Sequence, residues 1–311
     1  MATAQTRLMT ILRGLLAEPS GREDDLWTRV ILARDSGGDA DAFRLAAADA
    51  AGTDDEVRDR IKARLADSQG QSGGRPKTVV VEGTAYGVLR ESATAAEPLR
   101  GKVALVTGAA GAIGAGICRG LLQRGCRVAA ADIVAERLDE LIRDLAGEAD
   151  GRLLGVRMDV TDTASTEAAF ERATLEWGGV DIVVPNAGIA MVAPLTEITL
   201  EAFRKIERVN VEGTLLTLAE AGRVLCRQGT GGDIVLISTK NVFAPGAQFG
   251  AYSATKAASH QLARIASLEL APSDIRVNMV APDAVFSDGA RKSGLWAEVG
   301  PSRMKARGLD E

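Results

Sequence analysis

The chain has 311 residues, 46% of them apolar and 25% charged, with 37 Lys and Arg against 42 Asp and Glu for a formal charge of −5. This is a globular composition, long enough for one large domain and a smaller one, and it lacks the basic stripe that a nucleic-acid partner would need. The apolar patch from Leu8 to Leu16 is short and broken by Arg13, so neither a signal peptide nor a membrane span is expected, and the protein reads as cytoplasmic.

In chain order, apolar residues from Thr6 to Asp67 recur at the helical period, as in Leu8, Ile11, Leu12, Leu15 and again in Val57, Ile61, Leu65, with no strand signal. Ser68 to Pro76 is rich in Gly and Ser and reads as a flexible linker, so residues 1–75 are expected to form a small N-terminal helical appendage and its linker. Residues 76–98 are expected to connect it onward. They hold the β-branched run Thr78 to Val81, a strand with no obvious partner nearby.

From Leu99 short apolar runs alternate with amphipathic stretches, which predicts an α/β domain over residues 99–311 with a doubly wound, Rossmann-like parallel sheet. Its strands are expected at 103–106, 127–131, 153–158, 182–185, 233–237 and 275–280. No seventh strand follows the sixth. An exposed edge at Val277 would need cover, and Thr78 to Val81 is the unassigned strand expected to pair with such an edge in the same or a neighbouring subunit. Cys118, Cys126 and Cys226 are odd in number and lack C-x-x-C spacing, so they are expected to be reduced core thiols, with no disulfide framework and no metal site.

Thr107 to Gly114, TGAAGAIG, follows the first of these strands and opens a helix. Its backbone N–H groups and the helix dipole favour a pyrophosphate, with Thr107, Gly108, Gly111, Ile113 and Gly114 as the cofactor-binding candidates; a Gly-rich turn without a ligand is the alternative. Asp132 stands 24 positions after Gly108 at the end of the second strand, where a carboxylate accepts from both ribose hydroxyls and repels a 2′-phosphate. That favours NAD over NADP, although Asp132 could also cap the next helix. Asp159 and Val160 end the third strand and could meet the adenine, or simply cap. Asn186, Ala187 and Gly188 end the fourth strand and let a cofactor pass close to the backbone. Tyr252 and Lys256 lie one turn apart on a predicted helix, where an ammonium could lower the phenol pKa into the working range for proton transfer.

Taken in order, the Gly-rich turn, Asp132, Asn186-Ala187-Gly188, Asn210, the hydroxyl pair Ser238-Thr239 and Tyr252-x-x-x-Lys256 resemble the short-chain dehydrogenase/reductase family. The resemblance implies an enzyme that moves a hydride between NAD and a small alcohol or carbonyl substrate. Tyr252 would be the acid or base, Lys256 would lower its pKa and hold the nicotinamide ribose, and Asn210 would support a water relay. The substrate-orienting hydroxyl would be Thr239, thirteen positions before Tyr252, or its neighbour Ser238. Pro282 would sit near the nicotinamide, and a homo-oligomer is implied. Ala112 in place of a Gly and Asp283 after Pro282 depart from the family pattern, as does the absent last strand.

The segments 238–246 and 282–296 are further similar to the dehydrogenase half of bifunctional rhamnulose-phosphate aldolase/alcohol dehydrogenases, which would make the substrate sugar-derived. Arg291 and Lys292 could then meet a phosphate or carboxylate, but read more simply as solvated charges. The first 75 residues are too short and too helical for the aldolase half. The single His260 rules out a His-ligated aldolase metal and reads as a packing or surface residue. The competing reading is a nucleotide-binding protein without turnover, retained for assembly or regulation.

Overall fold

The structure, a computed structural model, describes residues 3–21, 25, 27–35, 42–72, 74–283 and 285. Its larger part is a six-stranded, fully parallel sheet built from β7 (Val103–Thr107), β8 (Arg127–Asp132), β9 (Leu153–Arg157), β10 (Ile182–Val184), β11 (Gly232–Ile237) and β12 (Ile275–Val280) in the order β12-β11-β10-β7-β8-β9. The strands are those expected, within a residue or two. All five residues of β7 are buried, as a strand covered on both faces requires. Chain order reverses at β7 and β10, which opens a crevice above their carboxyl ends.

The crossovers are α3 (Ala112–Gln123), α4 (Ala135–Ala149), α5 (Thr163–Trp177), α6 (Leu200–Glu207), α7 (Gly213–Gln228) and α8 (Gly250–Glu269). In α4 the apolar stripe Leu138, Leu141, Leu145, Ala149 has the spacing that puts one helix face on the sheet, and all four side chains are buried. Between α6 and α7 the helix does not break but widens to a π turn at Arg208–Glu212, which carries Asn210.

The N-terminal part departs from expectation. It has the two helices, α1 (Ala4–Leu16) and α2 (Asp54–Ser72), but also strands β1 (Glu18–Pro19), β2 (Trp27–Thr28), β3 (Val30–Arg34) and β4 (Phe43–Leu45). Thr78 to Val81 is a strand as expected, β5, yet it turns directly into β6 (Thr84–Arg90) and the two form the middle of a second sheet, order β3-β6-β5-β4. β5 therefore does not cover the outer strand β12: both of its sides are taken by β4 and β6. The segment 68–72 is likewise the last turn of α2 rather than linker. Residues 284 and 286–311, where the missing strand, Arg291 and Lys292 were considered, lie outside the described residues.

The two sheets share a wall. Successive residues of β3 point to opposite sides, so Val30 and Leu32 pack in the N-terminal core while Ile31 packs among Leu105, Ala131, Phe170 and Leu225 of the parallel-sheet core. Beside it Arg13 of α1 and Asp181, just before β10, form a salt bridge of 2.7 Å with both side chains about 1% exposed. Asp181 also accepts from Val103 N and Gln228 Nε2, and Arg13 donates to Val30 O and Gln228 Oε1. Burial alone would raise the Asp181 pKa, but the Arg13 and Arg29 guanidiniums hold it below the usual carboxylate range.

Of the thiols, Cys118 and Cys126 are buried, which pushes Cys118 up to about 12, whereas Cys226 is exposed on α7 rather than in the core. Among the described residues no helix is long and apolar enough to cross a membrane, and no cluster of side chains could hold a metal ion.

Candidate active site

A crevice of about 610 Å³ runs along the carboxyl ends of the central strands. Its lining includes the sequence candidates Gly108, Gly111, Ile113, Gly114, Asp132, Asp159, Val160, Asn186, Ala187 and Gly188, together with Ala112 and Asp283 of the two departures. Gly111 caps α3 without a side-chain hydrogen bond, so the first N–H groups of that helix face the crevice. Gly108 has φ +62°, and a Cβ there would lie 2.8 Å from Ala187 Cα: the turn can approach the β10 end only as glycine.

Thr107 lies beneath this surface rather than on it. Its Oγ1 accepts from Asn186 N and Ala187 N, each at 3.0 Å, while Asn186 Nδ2 donates to the carbonyls of Thr107 and Gly108. The phosphate turn and the β10 loop are thus laced into one unit. Asp132 accepts from Ala110 N and from Val134 N, both at 3.0 Å, so it braces the Gly-rich turn and the start of α4 at once while lining the crevice. Asp159 holds its own turn by accepting from Thr161 N and Oγ1, and the cap of α5 is Asp162 instead.

The other constellation is on α8. Tyr252 interacts with the Thr239 side chain, Lys256 Nζ donates to Ile237 O at 2.6 Å, and Ser238 Oγ shares a hydrogen bond of 3.1 Å with His260 Nδ1. The two hydroxyls that spacing alone left open therefore face different partners. Burial pushes the Tyr252 phenol above its ordinary value, and the Thr239 side chain offsets this only in part. This is opposite to the direction expected from Lys256, whose amine is turned to a carbonyl; burial lowers it to about 8.

Asn210 is almost wholly buried and clamps the loop after β10: its Oδ1 accepts from Ile189 N at 2.9 Å, and its Nδ2 donates to Ile189 O and Thr255 Oγ1, each at 3.0 Å. The Asn210 carbonyl, freed by the π turn, accepts from Thr214 and Ser259 hydroxyls. Asn210 and Lys256 converge on Gly188, where a Cβ would stand 3.2 Å from Asn210 Oδ1 and 3.9 Å from Lys256 Nζ. The loop must pass that point without a side chain. Pro282 contributes its carbonyl, which accepts from Lys240 N at 3.0 Å.

The sequence profile of the short chain dehydrogenase family matches residues 102–298. The chain belongs to this family. It is accordingly an oxidoreductase of a family that binds a nicotinamide dinucleotide, NAD or NADP. Over 212 residues it is 39% identical to the uncharacterized oxidoreductase YuxG of Bacillus subtilis, a match that covers 67% of this chain but 30% of that relative. It is 35% identical to a sorbitol dehydrogenase of Cereibacter sphaeroides, covering 68% of this chain and 80% of that enzyme. A crystal structure of a 3-ketoacyl-(acyl-carrier-protein) reductase from Brucella melitensis complexed with NADH superposes with a TM-score of 0.57 at 30% identity, covering 60% of this chain and 77% of that one.

Residues that sequence reasoning passed over are Thr255 and Ile189, while His260 reads there only as a packing or surface residue. Only Thr255 and His260 carried a signal, their places beside and one turn beyond Lys256; Ile189 serves through its backbone, which no residue type announces.

Proposed function

We propose that the chain is an NAD-dependent dehydrogenase of small polyols and the corresponding carbonyl compounds. The observation that carries this is that Asn210 and Lys256 converge on Gly188, which lines the same crevice as the first residues of α3, while Tyr252, beside Thr239, stands one turn before Lys256 on α8. The donor set suits a dinucleotide: unpaired helix N–H groups and a close-packed glycine turn for the pyrophosphate, then Asp132 at the ribose end. Asp132 supports NAD over NADP, because a 2′-phosphate would face a carboxylate braced by two backbone N–H groups. Asp159 and Val160 would flank the adenine, and Asn186, Ala187 and Gly188 the path to the nicotinamide, with Pro282 beyond.

When bound, a nicotinamide cofactor held by the Gly-rich turn, Asp132 and Lys256 would supply the hydride acceptor for oxidation of the alcohol carbon. Tyr252 Oη takes the hydroxyl proton in the same direction, or returns one in reduction, and the Thr239 hydroxyl orients both oxygens. Lys256, a buried amine with one carbonyl partner, would hold the nicotinamide ribose and favour the phenolate, and Asn210 would fix the loop that aligns them.

The polyol class is supported by the sorbitol dehydrogenase likeness. A homo-oligomer through α7 and α8 is supported by the exposed Leu215, Ile265 and Leu268. Three unpaired thiols suit a reducing compartment such as the cytoplasm. The test is reduced-cofactor formation across sorbitol, threitol, galactitol and small diols with NAD and with NADP. Turnover of at least one polyol with NAD preferred is the expected result; no turnover of any, or equal use of NADP, overturns the reading.

A further inference from the structure

Tyr252, Lys256 and His260 are spaced four residues apart, so they form one stripe along α8, a turn between each. Each meets the end of β11 or the segment after it. Tyr252 meets Thr239, Lys256 meets the Ile237 carbonyl, and His260 meets Ser238. The first two rungs belong to the site described above. The third does not touch the crevice, and nothing in the proposed chemistry uses it.

We propose that His260 is a positioning residue that holds the Thr239 hydroxyl against Tyr252; this inference rests on the proposed dehydrogenase reading. Ser238 is 4% exposed, so its hydroxyl needs a partner inside the protein, and the imidazole Nδ1 supplies it. The same ring takes the edge of Phe243, with centroids 5.2 Å apart and planes at 89°. Phe243 is 69% exposed and so gains little anchorage from burial.

His260 thus grips the segment on both sides of Thr239, at Ser238 before it and at Phe243 after the short helical turn Lys240–Val242 that Thr239 caps. The backbone continues the clasp: Ser238 N donates to Val280 O and Lys240 N to Pro282 O, which fixes the strand side but leaves the distance to α8 to side chains. Without the third rung, the segment is tied to α8 only by Lys256 at Ile237, two residues before Thr239, and by Tyr252 itself, the group Thr239 is meant to place.

The expected consequence is a fall in kcat of roughly tenfold to a hundredfold in His260→Ala, the scale of a small misplacement at a reacting centre, with KM and NAD affinity within about twofold. His260→Asn, whose amide can reach Ser238 without an aromatic ring, restores most of the loss. Ser238→Ala removes the same hydrogen bond from the other end, and the double variant Ser238→Ala/His260→Ala falls no further than the worse single one. Amide exchange of residues 240–243 rises in His260→Ala.

Unchanged kcat in folded His260→Ala, an Asn variant as impaired as Ala, or additive losses in the double variant would overturn the proposal. Should His260→Ala not fold, Ser238→Ala and its exchange pattern decide. Should the parent turn over no polyol, the function reading has failed, and exchange in the 240–243 segment alone decides whether His260 holds it.

Discussion

Buried charge stands at both ends of the central strands, and the two ends treat it in opposite ways. At the amino ends Asp181 has two guanidiniums and two further hydrogen-bond donors around its carboxylate, and its pKa falls below the usual range. At the carboxyl ends Lys256 has one backbone carbonyl, and its pKa falls to about 8 because burial is not compensated. A satisfied buried ion pair fixes how two layers dock. A buried amine left short of partners costs stability, which a protein retains where a ligand or a reaction completes the set. The difference separates architecture from chemistry on physical grounds.

The sharpest way to break the comparison is to remove one charge at each end. Arg13→Met leaves Asp181 buried beside Arg29 alone, whose Nε approaches it at 3.0 Å without hydrogen-bond geometry. Chemical denaturation should show a loss of about 3–5 kcal/mol, the cost of breaking a buried pair. Lys256→Met should do the reverse, raising the stability of the cofactor-free protein while abolishing turnover. A stable Arg13→Met or a destabilised Lys256→Met would mean that the two ends do not differ as described.

Next in size is Gly14→Ala. A Cβ at Gly14 would stand 1.8 Å from the Gln228 carbonyl, so α1 must move off α7, at a cost of about 1–3 kcal/mol in thermal or chemical unfolding. NAD affinity should hardly change, since the contact lies at the far end of the strands from the crevice.

The pH dependence separates the ends by sign. Asp181 has a folded pKa below its unfolded value, so its contribution is fully present above the unfolded value of 3.8 and is lost as pH falls through the folded one. Lys256 has a folded pKa of about 8 against 10.5 unfolded; the unfolded chain binds more protons between these values, and stability gains from this group as pH rises through that window. The difference in unfolding free energy between parent and Lys256→Met should narrow from pH 8 to 10. A difference that stays flat across it would contradict an uncompensated amine.

The smallest expected effect is on cofactor choice. Asp132→Ala removes the carboxylate at the ribose end, and the ratio of NAD to NADP affinity should drop by roughly tenfold or more, about the energy of one charge-assisted hydrogen bond. An unchanged ratio would place the discrimination elsewhere.

Much of this was legible in the sequence wherever a short range of residues carries its own reason. The parallel strands are largely apolar runs, several of them followed by glycine, Asn or Asp, and the Tyr252–Lys256 stripe follows from helix periodicity. Apart from the strand at Thr78 to Val81, the N-terminal sheet was not legible. β3 is apolar at successive positions because its two faces serve two cores, which removes the alternation that marks a strand, and β4 has three residues. In α2, Gly70 costs a helix only about 1 kcal/mol, too little to stop one already docked through Val57, Ile61 and Leu65. Spacing likewise could not separate Ser238 from Thr239, because the choice depends on which turn of α8 each one meets.

The central claim is that Tyr252 moves the proton in a crevice built for NAD. Tyr252→Phe, measured for polyol turnover and for NAD binding by fluorescence on the same preparation, tests it most directly. The account predicts a fall in kcat of roughly 10² or more with the NAD dissociation constant little changed. Near-normal turnover in the Phe variant would remove Tyr252 from the mechanism and leave only a nucleotide-binding fold.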